Sequence, residues 1–73
     1  MYLKRLKELR EDHDYTQEYI GKITNMKREQ YSRYETGKRD IPLDTLIILA
    51  NLYNTSVDYI LNLTDDKIPY KRN

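Results

Sequence analysis

Few side chains in this chain are equipped to make or break bonds. It has one histidine, His13, and no cysteine, which excludes a disulfide framework, a thiolate zinc site and a cysteine nucleophile. Ser32 has no histidine in any nucleophile motif, and His13 has no second metal-ligating partner. The pairs Asp12…Asp14 and Asp65–Asp66 lack calcium-loop spacing and lie in turn-like segments, where Asp collects anyway. No catalytic residue, metal site or cofactor is therefore expected, and the chain is read as a non-enzyme. Recognition chemistry is better supplied. Turning about 100° per residue from Lys27 onward, Tyr31 and Tyr34 share the inward side of a helix. Glu29, Ser32, Arg33 and Thr36 face the other way, with Arg28 on the flank. Long hydrogen-bonding side chains four apart on the first turns of a helix suit base-edge reading in a major groove. An ordinary solvated helix face has the same composition, and spacing alone leaves both readings open.

The elements that would position these groups are helical throughout. Apolar residues recur at three and four, no segment alternates like a strand, and no hairpin turn dipeptide occurs. Leu3, Leu6 and Leu9 line a first helix over about Tyr2–Asp12, ending in the His13–Asp14 turn. Thr16 offers an N-cap oxygen for a second helix, with Glu18 in its first turn and Asn25 as a left-handed stop near Thr24. A third helix runs from near Lys27 to Gly37. Pro42 stands near the first position of a fourth, which carries Leu43, Leu46, Leu49, Ala50 and Tyr53 and ends at Asn54. Ser56 caps a fifth, with Val57, Ile60 and Leu61 turned inward. Thr64–Asn73 has no periodicity and reads as an irregular C-terminal tail or the start of a linker. The domain proper is residues 1–63.

Composition narrows the class further. The chain has 73 residues, 38% hydrophobic and 34% charged, with a net charge of +1. That is room for one small domain, too apolar for disorder, and without the run of about 18 uncharged residues that a membrane span needs. Lys4, Arg5 and Lys7 interrupt the leucines after Met1, so no leader is expected and a cytoplasmic location is. All eight aromatic residues are tyrosines. They are expected at the core margin with their hydroxyls in water.

The motifs together are more specific than the composition. The segments Leu6-Lys7-Glu8-Leu9-Arg10-Glu11, Tyr15-Thr16-Gln17-Glu18, Tyr31–Arg39, Ile41–Leu46, Leu49-Ala50 and Ser56–Leu61 resemble, in register, the Xre/Cro-type helix-turn-helix family of lambda-repressor-like domains. The likeness covers about Leu3 to Leu63. It implies an all-α, compact five-helix fold, with a helix-turn-helix formed by helices two and three. It implies a sequence-specific regulator of transcription, a repressor by occupancy, that binds double-stranded DNA. Residue by residue, it implies base reading by Arg28, Glu29, Ser32 and Arg33. Phosphate contacts fall to Gln17, Lys27, Lys38 and Arg39, and a structural ion pair to Arg10 and Glu35. Two copies on a two-fold operator are also implied, although no residue marks a dimer surface.

Three positions depart from the family pattern. Lys27 takes the capping place of the third helix, usually Ser or Thr, which forfeits about 1 kcal/mol of cap. Thr24 replaces a common apolar residue, so the second helix is expected to pack less firmly. Glu29 puts an acid on the reading face, where pairing with Arg33 at i+4 is expected in the free protein and acceptance from a cytosine N4 is the other reading. The alternative function is a protein-interaction module, antitoxin-like or an adaptor, on the same fold. Charge distribution favours DNA. Residues 22–40 carry six basic and three acidic side chains, while the segments on either side are each slightly acidic. The near-neutral total averages away a local positive excess.

Overall fold

A computed structural model describes residues 1–69. Five α-helices follow one another: α1 (Lys4–Asp12), α2 (Gln17–Ile23), α3 (Arg28–Glu35), α4 (Leu43–Leu52) and α5 (Val57–Ile60). There are no strands among the described residues, and the expected all-α, five-helix architecture is the observed one. Thr16 Oγ1 accepts from Tyr19 N–H at 3.0 Å, and Ser56 Oγ accepts from Tyr59 N–H at 3.0 Å, so both expected N-caps are made. Lys27 precedes α3 without a side-chain cap. The first helix begins later than expected, because Leu3 rather than Tyr2 accepts the first helical bond, from Leu6. Pro42 is the residue before α4, and its extended backbone sets the entry.

Every helix is followed by one residue in the left-handed region: Asp14, Asn25, Gly37, Asn54 and Asn62, with φ of 58°, 59°, 79°, 51° and 64°. Asn and Asp tolerate this conformation better than other side chains do. At four of the five ends, the next N–H reaches back to the carbonyl five residues earlier. These bonds are Tyr15 to Arg10, Met26 to Gly21, Thr55 to Ala50 and Leu63 to Asp58, at 2.8–3.0 Å. This pairing satisfies helix-end carbonyls without help from the rest of the fold. The end of α3 differs. There the carbonyl of Arg33 receives the N–H of Arg39, one residue later, at 3.2 Å. Gly37 permits this wider exit: a Cβ there would meet Tyr2 Cα at 3.0 Å, on a backbone that L-residues rarely adopt.

The core gathers Leu3, Leu6 and Leu9 from the α1 segment and Ile20 from α2. Tyr31 and Tyr34 enter from α3, Leu46, Leu49 and Ala50 from α4 with Tyr53 just past its end, and Tyr59 and Ile60 from α5. Leu43 departs from its expected place: it is 66% exposed, beside exposed Ile47 and Ile48 on the outer side of α4. In α5, Tyr59 is buried while Val57 and Leu61 are only half-buried. The tyrosines also depart from expectation. Tyr31 is wholly buried and Tyr53 is 5% exposed. The Tyr53 hydroxyl has no hydrogen-bond partner among the described residues, and that of Tyr31 faces the Glu35 carboxylate without a well-formed bond. This chain has no phenylalanine, so every benzene ring packed into its core brings a hydroxyl with it.

The segment after α5 is fastened to the domain. Arg5, 8% exposed, stacks over the Tyr59 ring at 4.0 Å. Its guanidinium donates to the carbonyls of Tyr59 and Thr64 and to the Asp65 carboxylate. Thr55 Oγ1 donates to the carbonyl of Lys67 at 2.7 Å. Residues 70–73, the end of the expected tail, lie outside the described residues. Among the described residues, no helix is long and apolar enough to cross a membrane, and no cluster of metal-ligating side chains occurs.

Candidate nucleic-acid interface

The turn from α2 to α3 is compact because Gly21 admits it. A Cβ on Gly21 would lie 2.7 Å from the Met26 carbonyl oxygen, closer than such atoms approach. Thr24 closes α2 with its hydroxyl on the carbonyls of Ile20 (2.7 Å) and Gly21 (3.3 Å), so its polarity is satisfied locally. Tyr31 and Tyr34 then anchor α3 into the core and turn the opposite side outward.

One edge of α3 is tied to the interior by a chain of polar contacts. Arg10 and Glu35 form an ion pair at 2.7 Å, with side-chain exposures of 13% and 3%. Arg10 also donates to the Tyr15 carbonyl, at 2.9 Å. The hydrogen bond to Glu35 raises the Arg10 pKa and keeps the guanidinium charged. The Tyr31 and Tyr53 hydroxyls are pushed well above the ordinary phenol range, first by burial and then by the nearby Glu35 carboxylate. Gln17 Nε2 donates to Glu35 Oε1 at 3.2 Å, and Arg28 Nη1 donates to Gln17 Oε1 at 3.5 Å. Arg28 Nη2 then lies 3.8 Å from Glu29 Oε1. The expected Glu29–Arg33 pair is therefore corrected to Glu29–Arg28. Gln17 holds the Arg28 guanidinium with its second nitrogen beside the neighbouring carboxylate, and both charges are more than half exposed.

The other edge of α3 is open. Lys27, Glu29, Gln30, Arg33, Tyr34 and Arg39 line a hollow of about 360 Å³. The Arg39-to-Arg33 backbone bond folds the loop against α3 and brings Arg39 into that hollow. Three cationic side chains face one carboxylate there, so the hollow favours anions. Lys38, in the same loop, is exposed but does not line it. Ser32 is half-buried on the tied edge, while Gln30 is exposed on the open one. Gln30 stands outside the base-reading set expected from the sequence. Its helical angle lies on the flank opposite Arg28, and allowing the flanks equal weight would have included it.

A short helix, a tight turn and a second helix with an anchored inner side and a charged outer one define a helix-turn-helix protein. The family model described as Helix-turn-helix matches residues 6–60, and the chain belongs to that family, the Xre/Cro-like class its sequence resembles. It is 46% identical over 69 residues to the Uncharacterized HTH-type transcriptional regulator YobD of Bacillus subtilis (strain 168), covering 94% of this chain and 62% of that protein. It is 47% identical over 58 residues to the HTH-type transcriptional regulator ImmR of the same organism, covering 80% of this chain and 46% of that protein. A third relative, Antitoxin PezA of Streptococcus pneumoniae serotype 4, is 32% identical over 65 residues, with 89% and 40% covered. The chain thus spans between two-fifths and about three-fifths of the length of these relatives. No solved structure matches it.

Proposed function

We propose that this chain is a sequence-specific double-stranded DNA-binding module of a transcriptional regulator, acting as a repressor by occupying its site. The observation that carries this reading is the α3 edge, where Lys27, Arg33 and Arg39 converge on one hollow of an otherwise near-neutral protein. In this reading α3 enters the major groove. Arg28, Glu29, Ser32 and Arg33 meet base edges. Gln17, Lys27, Lys38 and Arg39 meet phosphates. The Arg10–Glu35 pair holds the two helices at a fixed spacing. Residues 1–63 form the recognition domain, and the segment from residue 64 is an irregular tail or the start of a linker. The protein works in the cytoplasm, without catalysis or cofactor, and as two copies on a two-fold site about one helical turn apart.

The experiment is selection of bound duplexes from a random pool, followed by mobility shifts at rising salt. A palindromic enriched sequence and an affinity that falls steeply with salt are expected. No retardation at low salt would overturn the reading. The likeness to an antitoxin favours a second one, in which the same fold binds a protein partner. That outcome would appear as a stable protein complex formed by a chain that leaves every duplex unretarded.

A further inference from the structure

We propose that Gln30 is a specificity-determining residue that selects an A·T pair in the bound duplex. The proposal rests on the DNA-binding reading above. Gln30 sits on the ridge of α3 between two concavities. It lines the cationic hollow with Lys27, Arg33 and Arg39, and also a second one of about 550 Å³ formed with Lys22 of α2 and with Asn25 and Met26 of the turn that follows. It is exposed, and among the described residues its amide takes part in no hydrogen bond. The other exposed groups at the start of α3 are engaged: Arg28 with Gln17 and Glu29, and Glu29 with Arg28. Ser32 is half-buried.

Gln30 therefore carries an uncommitted donor and acceptor side by side on the first turn of the helix. Its neighbours in the hollow hold the charge that attracts phosphate, whereas the neutral amide gains little there. A donor–acceptor pair matches the N7 acceptor and N6 donor that adenine presents in the major groove. Gln17, the glutamine assigned to phosphate, has one amide hydrogen already spent on Glu35 and its oxygen on Arg28. Gln30 has no such commitment.

The test is selection from a random duplex pool with the wild-type chain, Gln30→Ala and Gln30→Glu, with helicity and urea midpoints measured on each. The site is exposed and alanine favours helix, so all three are expected to fold alike. One enriched position should be A·T for the wild type, degenerate for Gln30→Ala and shifted toward C·G for Gln30→Glu, whose carboxylate accepts from cytosine N4. Replacing that base pair should weaken the wild type by about 5- to 150-fold and leave Gln30→Ala nearly indifferent. Identical enriched sequences for all three chains would overturn the role of Gln30 while leaving DNA binding intact. Equal weakening of Gln30→Ala on every duplex would reassign Gln30 to the backbone. Failure of the wild type to enrich any sequence would overturn the underlying reading and this one with it.

Discussion

The Arg39 N–H donates to the carbonyl of Arg33 at 3.2 Å, in the place where the other four helices end on an earlier residue. One extra residue in the turn brings a cation back beside the open edge of α3. The two arginines nevertheless belong to different elements, one to a helix face and one to a loop, and this separates their expected roles.

Arg33→Ala is expected to cost about 1–3 kcal/mol on the enriched duplex and to relax preference at one base pair. Arg39→Ala and Lys38→Ala should weaken all duplexes alike, each lowering the salt slope by about one. Mobility shifts on matched and scrambled duplexes at several salt concentrations separate the two patterns. A sequence-selective loss in Arg39→Ala would exchange the assignments.

Breaking the buried ion pair from one side should hurt more than removing it whole. Glu35→Leu leaves Arg10 uncompensated and is expected to cost about 3–5 kcal/mol. Arg10→Met with Glu35→Leu should recover part of that loss, as read from urea midpoints in a double-mutant cycle. Strictly additive losses would mean that the pair does not act as a unit.

Alkaline stability follows from the two buried phenols. Folding holds Tyr31 and Tyr53 neutral, with their pKa values raised by burial and then by Glu35. Their contribution is intact below pH about 10, where both states keep the proton. Above it the unfolded chain releases protons that the folded one retains, so stability falls by about 1.4 kcal/mol per pH unit for each tyrosine. Tyr53→Phe should flatten that slope by one tyrosine's share. At neutral pH it should stabilise by about 1 kcal/mol, because the removed hydroxyl has no protein partner. An unchanged alkaline slope would count against this account.

Gly21→Ala is expected to destabilise by about 1–3 kcal/mol, since the added methyl meets a backbone carbonyl that cannot swing aside. Thermal unfolding should report it as a drop of several degrees. A neutral effect would show that the turn between α2 and α3 has slack.

The helices were legible in the sequence because their signals are local. Thr16, Ser56, Asn25, Gly37 and Asn54 mark starts and stops that each depend on a few neighbouring bonds. Leu43 misled, because its spacing fits the apolar stripe of α4 while no other element reaches over it. The tyrosines misled for the opposite reason: a burial preference averages over proteins and does not know which cavity needs a ring. Arg5 was missed altogether. Nothing in its sequence neighbourhood marks it, and only the return of residues 59–65 in space gives it carbonyls to hold. Within the candidate interface, the pairing of Glu29 was misread because Gln17, eleven residues before Arg28, decides where the arginine lies.

The chain of contacts from Glu35 through Gln17 to Arg28 makes the face of α3 unequally free to change. Glu29, Gln30 and Arg33 have no bond to the interior, so under the proposed base-reading role drift at these positions is expected to alter what is recognised while the scaffold persists. Arg28 is coupled, through one amide, to a buried charge. New preferences should therefore arise first along the open edge, with Arg28 the last of the four to be exchanged.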